Sequence, residues 1–410
     1  MPEGAPRRVV VTGLGAVSSL GTGARTFAKA IREGRSGVSP IRSFDASGFP
    51  YTFAGEVHDF EPERLLRRLR VDEWGRSSLF AASAARLALM DADVDPGQVA
   101  AARAGSAMGT TLGESAVIEA LTSQWVHGGL KDLDPALVRQ APAGRIATAV
   151  NAELGLTGEA HTIATACSAS NYTLGYAYDM VRTGEAEFMI SGGADSVNRW
   201  EHAGFYRLGA LAESVCRPFD THRSGILTAE GGVALFLEPL EGAVARGARI
   251  YAEVLGYGVN CDAKHPVAPD PTSIAECIRA AHRNAGVRPE DIDYICAHGT
   301  GTPTNDATEV KAVREVFGDE LPPISSIKSM IGHTMGAASG FGALICCMAL
   351  HDGFLPPTAN VTETDPALGP GVDCVPGTGR AASPRIVQNH GFAFGGNNAI
   401  TILGRAACRP

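Results

Sequence analysis

The 410-residue chain has no run of apolar residues long enough to cross a bilayer. Its longest, GAASGFGALICCMAL, is about fifteen residues and rich in small side chains, against the roughly 20 a membrane helix needs, so it reads as a buried core helix and no membrane is expected as a partner. No terminal segment has the form of a signal peptide, since MPEGAPRRVVVTGLGAVSSLG puts its apolar run into a short strand pattern. The nine cysteines form no CxxC pair and do not cluster with histidine at zinc-ligand spacing, so no metal is expected and the chain reads as a reduced, cytoplasmic protein. Lysine is scarce beside arginine, and the formal net charge of −9, with 11 histidines counted neutral, gives no reason to expect nucleic acid. A dinucleotide fingerprint is also missing. VTGLGAVSSLG offers Gly13 and Gly15, but Ser18 stands where the third small residue belongs, and no acidic residue follows about 20 positions on.

What is present is an α/β pattern. With 45% hydrophobic and 19% charged residues the composition is that of a globular chain, long enough for two domains or one large duplicated unit. Short β-branched runs recur, each ending in a small-residue turn and then a helical pattern. RRVVVTGLGAV, RAGSAMGTT, AHTIATAC, EFMISGGAD and GVALFLEPL fall in the first half. RIYAEVLGYGVN, DYICAHGTG, PPISSIKS, RIVQNHGFAFGG and NAITILGRA fall in the second. Continuous apolar strands alternating with helices predict mainly parallel sheets covered on both faces. Five strands on each side of a division near residue 250 predict an internal duplication, 1–249 and 250–410. LVRQAPAGRIATAV reads as a helix with a Pro–Ala–Gly interruption.

Several strand ends carry chemistry. TIATACSASNYTLGYAYDMVRTG places Cys167 where a strand turns into a helix, with Leu174, Tyr178 and Val181 on one face and Gly184 at its end. Taken alone, this thiol is either packed core or a nucleophile. In a first helical turn it would face unpaired N–H groups and the positive end of the dipole, an arrangement expected to lower its pKa. CAHGTGTPTNDATE offers His298, SSIKSMIGHTMGAASG offers Lys328 and His333, and NHGFAFGGNN offers His390 and Phe394. Each block follows a strand and is dense in small residues that let backbone approach a ligand. One cysteine with two histidines is a set suited to thiolate chemistry on an acyl group.

The blocks TACSAS, AHGTGTPTND, SSIKSMIGHTMGAA and FAFGGNN resemble the active-site blocks of the elongating β-ketoacyl–acyl-carrier-protein synthases, the ketosynthase branch of the thiolase superfamily, and the resemblance runs nearly end to end. It implies the thiolase fold: a duplicated, five-layered αβαβα arrangement with two five-stranded sheets. It implies that Cys167 takes an acyl chain as a thioester while His298 and His333 hold a malonyl thioester and assist its decarboxylation, the enolate then attacking the acyl group to give a 3-ketoacyl carrier. The backbone N–H groups of Cys167 and Phe394 would form the oxyanion hole, and Phe394 the gate between acyl and malonyl sides. Lys328, Asp306 and Glu309 would play supporting electrostatic and structural parts. No role follows for His390. No cofactor is implied, the substrates riding on the phosphopantetheine of an acyl carrier protein, and the family acts as a dimer, either of one chain or with a chain-length-factor-like subunit.

Two segments depart from the fatty-acid elongation pattern. CRPFDTHRSGILTAEGG keeps Arg217, Pro218, Phe219 and Asp220 but then diverges. NCDAKHPVAPDP keeps Asp262, His265 and Pro269 of the loop that partners the gate, with Lys264 and Pro266 unusual. These changes favour a discrete (type II) polyketide or specialised fatty-acyl pathway over housekeeping elongation. A non-decarboxylating acyltransferase and a non-catalytic scaffold are the further alternatives, the latter disfavoured by the intact Cys167, His298 and His333. An acidic carrier protein needs a basic dock, which PERLLRRLR supplies in Arg64, Arg67, Arg68 and Arg70, with Arg217 a further candidate.

Overall fold

A computed structural model describes residues 6–406; positions 1–5, where the leader reading begins, and Cys408 lie outside the described residues. All ten strands read from the sequence are present. In chain order the main-sheet strands are β1 (Val9–Ser18), β2 (Ala104–Gly109), β3 (Ala160–Ile163), β4 (Phe188–Asp195), β5 (Gly231–Pro239), β6 (Ala252–Cys261), β7 (Tyr294–Cys296), β8 (Ile324–Ser325), β9 (Ile386–Phe392) and β10 (Asn397–Gly404). The helices that matter here are α1 (Arg76–Asp91), α2 (Ser115–Gly128), α3 (Arg145–Leu154), α4 (Ala169–Thr183), α5 (Arg199–Arg207), α6 (Pro271–Ala285), α7 (Pro303–Phe317) and α8 (Ala338–Asp352).

The first five strands lie in the order β3-β2-β4-β5-β1 and the last five in the order β8-β7-β9-β10-β6, which is one topology, 3-2-4-5-1, used twice. Pairing directions repeat as well. β2 runs parallel to β3 and β4, and β7 runs parallel to β8 and β9. The β4–β5–β1 and β9–β10–β6 pairings are antiparallel. The sheets are therefore mixed rather than mainly parallel. Apolar runs report burial on both faces, which an antiparallel strand inside a layered fold shares with a parallel one. The two blocks are also not separate, because Val9, Val10 and Val11 of β1 pair with Val254, Glu253 and Ala252 of β6, joining them edge to edge.

Layering explains the continuous apolar strands. α1 packs on β1, β4 and β5 and α6 on β6 and β10, while α4 and α8 each touch strands of both blocks. The result is helix, sheet, helix, sheet, helix. α4 shows the predicted face, with Leu174, Tyr178 and Val181 buried, and stops at Gly184, whose φ of +80° is open to glycine at little cost. α8 is buried on every side through Leu350, as a helix sandwiched between two sheets must be. Met335–Asp352 is apolar and long enough to pass for a membrane span by length and composition, yet 89% of it is buried inside this fold. LVRQAPAGRIATAV forms Pro135–Gln140 and α3 with its interruption between them.

Candidate active site

Each strand-end block turns into the same cleft. Cys167, His298, His333 and Phe394 line it together with Phe205, His265, Asn305 and Phe392, around a space of about 220 Å3. Cys167 sits in a single 3-10 turn, Ala166–Ser168, ahead of α4, and the residue before it, Ala166, holds φ at +50°. That left-handed step turns the chain sharply and exposes the sulfur side of the turn to the cleft at a cost of about 1–2 kcal/mol.

The thiol is not depressed. Burial pushes Cys167 up to about 12; the buried ammonium of Lys328 pulls the other way, and Asp195 adds to the rise. Withdrawal from water outweighs the helix-end effect expected from the sequence, so the resting site holds a neutral thiol. His298 and His333 are held well below the ordinary histidine range, both by burial first, then by Lys328, with His333 and His390 adding to the effect on His298. Their rings meet edge to face at 5.5 Å between centroids. The N–H of Met335 donates to Nδ1 of His333 at 3.1 Å, so the proton of this neutral ring sits on Nε2. The His333 backbone is clamped by the divergent ILTAEGG segment: its N–H donates to the Leu227 carbonyl at 2.7 Å, and its carbonyl accepts from Ala229 at 2.9 Å.

The supporting residues form the walls of the His298 loop. Glu309, fully buried on α7, accepts the N–H groups of His298 at 2.8 Å and Gly299 at 2.7 Å. Lys328 donates to the His298 carbonyl at 2.5 Å. Asp306 accepts from Phe219 at 2.8 Å and from Gly301 at 3.2 Å. α7 itself starts where Thr302 caps the N–H of Asn305, with Pro303 in its first turn.

Phe394 and the 262–270 loop form a further part of the lining. The Phe394 ring packs against Phe205 at 5.8 Å, and the Phe394 N–H has no acceptor among the described residues. Asp262 accepts from Asn398 at 2.7 Å and from the Asp270 N–H at 3.0 Å, pinning both ends of the 262–270 loop. His265, on the cleft wall, turns its Nδ1 inward to accept from Val267 and Ala268, and Lys264 pairs with Asp270 at 2.8 Å.

The basic segment lies elsewhere. The N–H groups of Arg67, Arg68 and Leu69 are held by Glu153 of α3, Arg64 pairs with Glu61, and Arg70 with Asp72 and Glu73. None of these, nor Arg217, which donates to the Asn360 carbonyl, lines the cleft. Exposed Arg207 immediately precedes Leu208 and Gly209 of the cleft lining, as exposed Lys264 precedes His265.

Sequence reasoning missed Asp195. It lies at the end of β4, accepts from Thr110, Thr111, Leu112 and Gly336, and burial raises it to about 6. Its signal was a lone acid closing the apolar run SGGAD. Missed too was the partner of His390, whose Nδ1 lies 2.7 Å from Oε1 of Glu309.

The β-ketoacyl synthase N-terminal domain matches residues 6–243, and the β-ketoacyl synthase C-terminal domain matches 251–362. A 3-oxoacyl-[acyl-carrier-protein] synthase 2 of Synechocystis is 36% identical over 403 residues, covering 96% of each chain. Among solved structures, the ishigamide ketosynthase/chain length factor is 49% identical with a TM-score of 0.96, covering 98% of this chain and 100% of that one. A type II polyketide synthase ketosynthase in complex with its acyl-carrier protein is 30% identical with a TM-score of 0.90 over 98% and 100%.

Proposed function

The chain belongs to the β-ketoacyl synthase family, and from that premise we propose that it condenses an acyl group on Cys167 with malonyl–acyl carrier protein, by decarboxylation, in a type II polyketide or specialised fatty-acyl pathway. The observation that carries this reading is the convergence of Cys167, His298, His333 and Phe394, from four separate strand ends, on one cleft.

The chemistry follows from the protonation states. With its pKa near 12, Cys167 enters as a thiol, and its proton must leave as sulfur attacks the acyl thioester. The C–S bond to the carrier breaks and the departing pantetheine sulfur takes that proton. The tetrahedral oxyanion rests on the N–H groups of Cys167 and Phe394, an interaction whose loss typically costs about 2.7–4 kcal/mol of barrier stabilisation. Malonyl carrier then lies with its thioester oxygen toward His298 and His333. Neutral imidazoles donate N–H without adding a charge that would have to be desolvated. As the carboxylate departs as carbon dioxide, its bonding pair becomes an enolate held by those donors. The enolate carbon attacks the acyl–Cys167 carbonyl, forming the C–C bond, and the Cys167 sulfur leaves as a thiolate that takes one proton from water, which restores the resting thiol. No cofactor enters. Lys328, Asp306 and Glu309 hold the His298 loop in place for this step.

The 49% identity to a ketosynthase/chain length factor favours the specialised pathway. Housekeeping fatty-acid elongation is the second reading, favoured by the 36% relative. The enzyme works as a pair in the cytoplasm, with a second copy or a chain-length-factor-like subunit. The support is an apolar groove of about 800 Å3 beside β3, the free edge strand, between α2 and α5, where Val126 is 74% and Trp200 62% exposed. An acidic acyl carrier protein docks on Arg64, Arg67, Arg68 and Arg217. Intact-mass analysis tests the reading: Cys167 gains the acyl mass from a loaded carrier and loses it as 3-ketoacyl carrier appears, while Cys167→Ala gains none. Acyl mass on Cys167→Ala, or none on the unaltered chain with and without a co-purified partner, would sink it.

A further inference from the structure

β9 carries polar side chains on both faces. Asn389 points to the middle layer, donating to Asn171 of α4 and to the Ser339 carbonyl at the start of α8, each at 2.8 Å. Gln388 and His390, two apart and so on the other face, point toward the outer helices. All three are buried, and the condensation chemistry uses none of them.

On that outer face a single chain of hydrogen bonds runs inward. Nε2 of His282, in the last turn of α6, lies 2.6 Å from Oε1 of Gln388. Nε2 of Gln388 lies 2.5 Å from Nε2 of His390. Nδ1 of His390 lies 2.7 Å from Oε1 of Glu309, and that oxygen also accepts the His298 N–H. With the Gln388 amide oriented as it is, the donor roles along it follow. The Gln388 amide nitrogen can only donate, so Nε2 of His390 accepts and the His390 proton is on Nδ1, where Glu309 takes it. The Gln388 oxygen can only accept, so His282 carries its proton on Nε2. Were the Gln388 amide reversed, its oxygen would face Nε2 of His390 and the proton would be drawn away from Glu309.

We infer that His390 is a positioning residue for His298, acting through Glu309, with its own tautomer set by His282 through Gln388. Oε1 of Glu309 has two donors, and Oε2 has Gly299 with Asn305 at 3.5 Å. The His298 peptide is thus gripped by Glu309 at its N–H and by Lys328 at its carbonyl, fixing where the ring enters the cleft. Without His390, Oε1 loses one of its two donors, and the attraction between Glu309 and the Lys328 ammonium is free to turn the carboxylate and carry the peptide with it. The inference rests on the condensation reading, in which His298 serves only the malonyl step.

That division supplies the test. On the full chain, acylation of Cys167 is followed by mass and decarboxylation of malonyl carrier by carbon dioxide release. His390→Leu is expected to slow decarboxylation roughly ten- to a hundredfold, the scale of a misplaced catalytic group, while acylation changes by less than about threefold. His390→Asn, which keeps an N–H donor toward Glu309, recovers most of the loss. His282→Phe shows a smaller loss of the same kind. Equal loss of both half-reactions, with the Asn variant no better than Leu, would make His390 a packing residue and overturn the assignment, as would no loss at all. Should His390→Leu not fold, His390→Asn and His282→Phe decide: near-normal decarboxylation in the first with a selective loss in the second supports the assignment, and any other pattern overturns it. If the unaltered chain takes acyl groups but releases no carbon dioxide, the condensation reading itself fails and the assignment falls with it.

Discussion

Neutral imidazole is the form in which the proposed reaction uses His298 and His333, and burial is what keeps them so at ordinary pH. A free histidine titrates near 6.5, and both of these lie well below that value. The malonyl half-reaction is therefore expected to stay flat as pH falls from 7.5 to 6, with no acid limb at 6.5. A pH profile of carbon dioxide release that halves at 6.5 would show that one of these rings protonates like a free one. That Cys167, His298, His333 and Phe394 belong together in one cleft was legible because each sits in a short local block where a strand ends among small residues. Their protonation was not. The rise of Cys167 comes from burial and Asp195 working against Lys328, groups far apart in sequence that only the folded chain brings together.

At the scale of elements, the two halves enter their middle helices by the same turn. Ala166 before Cys167 and Met335 before Gly336 both hold φ at +50°, each followed by a 3-10 turn and then α4 or α8. The turns are packed on each other's surroundings. Ser170 donates to the Gly336 carbonyl at 2.6 Å, and the Gly336 N–H donates to Asp195 at 2.7 Å. A Cβ at Gly336 would lie 2.4 Å from Cα of Thr110, a backbone atom that cannot step aside. Gly336→Ala is thus expected to destabilise by about 1–3 kcal/mol or more, read as a lower urea midpoint, and to slow Cys167 acylation by moving the Thr110–Asp195 wall. An unchanged midpoint would mean the two turns separate freely. The strands themselves were legible from apolar runs between small-residue turns. Their order, their mixed directions and the β1–β6 join were not, because these depend on pairing partners that local patterning does not name.

For the whole molecule, buried titratable groups pull stability in both directions as pH changes. His202, His282, His298 and His333 all titrate below the ordinary 6.5, so the unfolded chain takes up protons the native one refuses. Their contribution is present above 6.5 and lost as pH falls, at up to about 1.4 kcal/mol per histidine per pH unit. Asp195 and Asp306, each raised from 3.8 to about 6 by burial, act in the opposite sense, their contribution full below 3.8 and lost as pH rises through 6, and burial raises Glu114 and Glu201 to the same effect. Four groups stand on each side, so the urea midpoint should differ little between pH 5.5 and 7.5. A midpoint much lower at pH 5.5 would mean that the histidines outweigh the carboxylates. Assembly is expected to depend on the α2–α5 groove: Val126→Asp, at a 74% exposed site, should leave monomer stability within about 0.5 kcal/mol while light scattering shifts from pair to single chain.

The repeated 3-2-4-5-1 order makes this polypeptide, in effect, two subunits covalently tethered between Pro239 and Ala252. Each contributes the same reverse turn to a shared seam, but one turn carries a sulfur and the other, at Gly336, carries nothing. The empty position is what lets the armed turn close up, so the asymmetry is the working condition of the seam. A fold of two identical halves would have to carry two sulfurs or none, and tethering is what allows one half to give up its side chain in favour of the other.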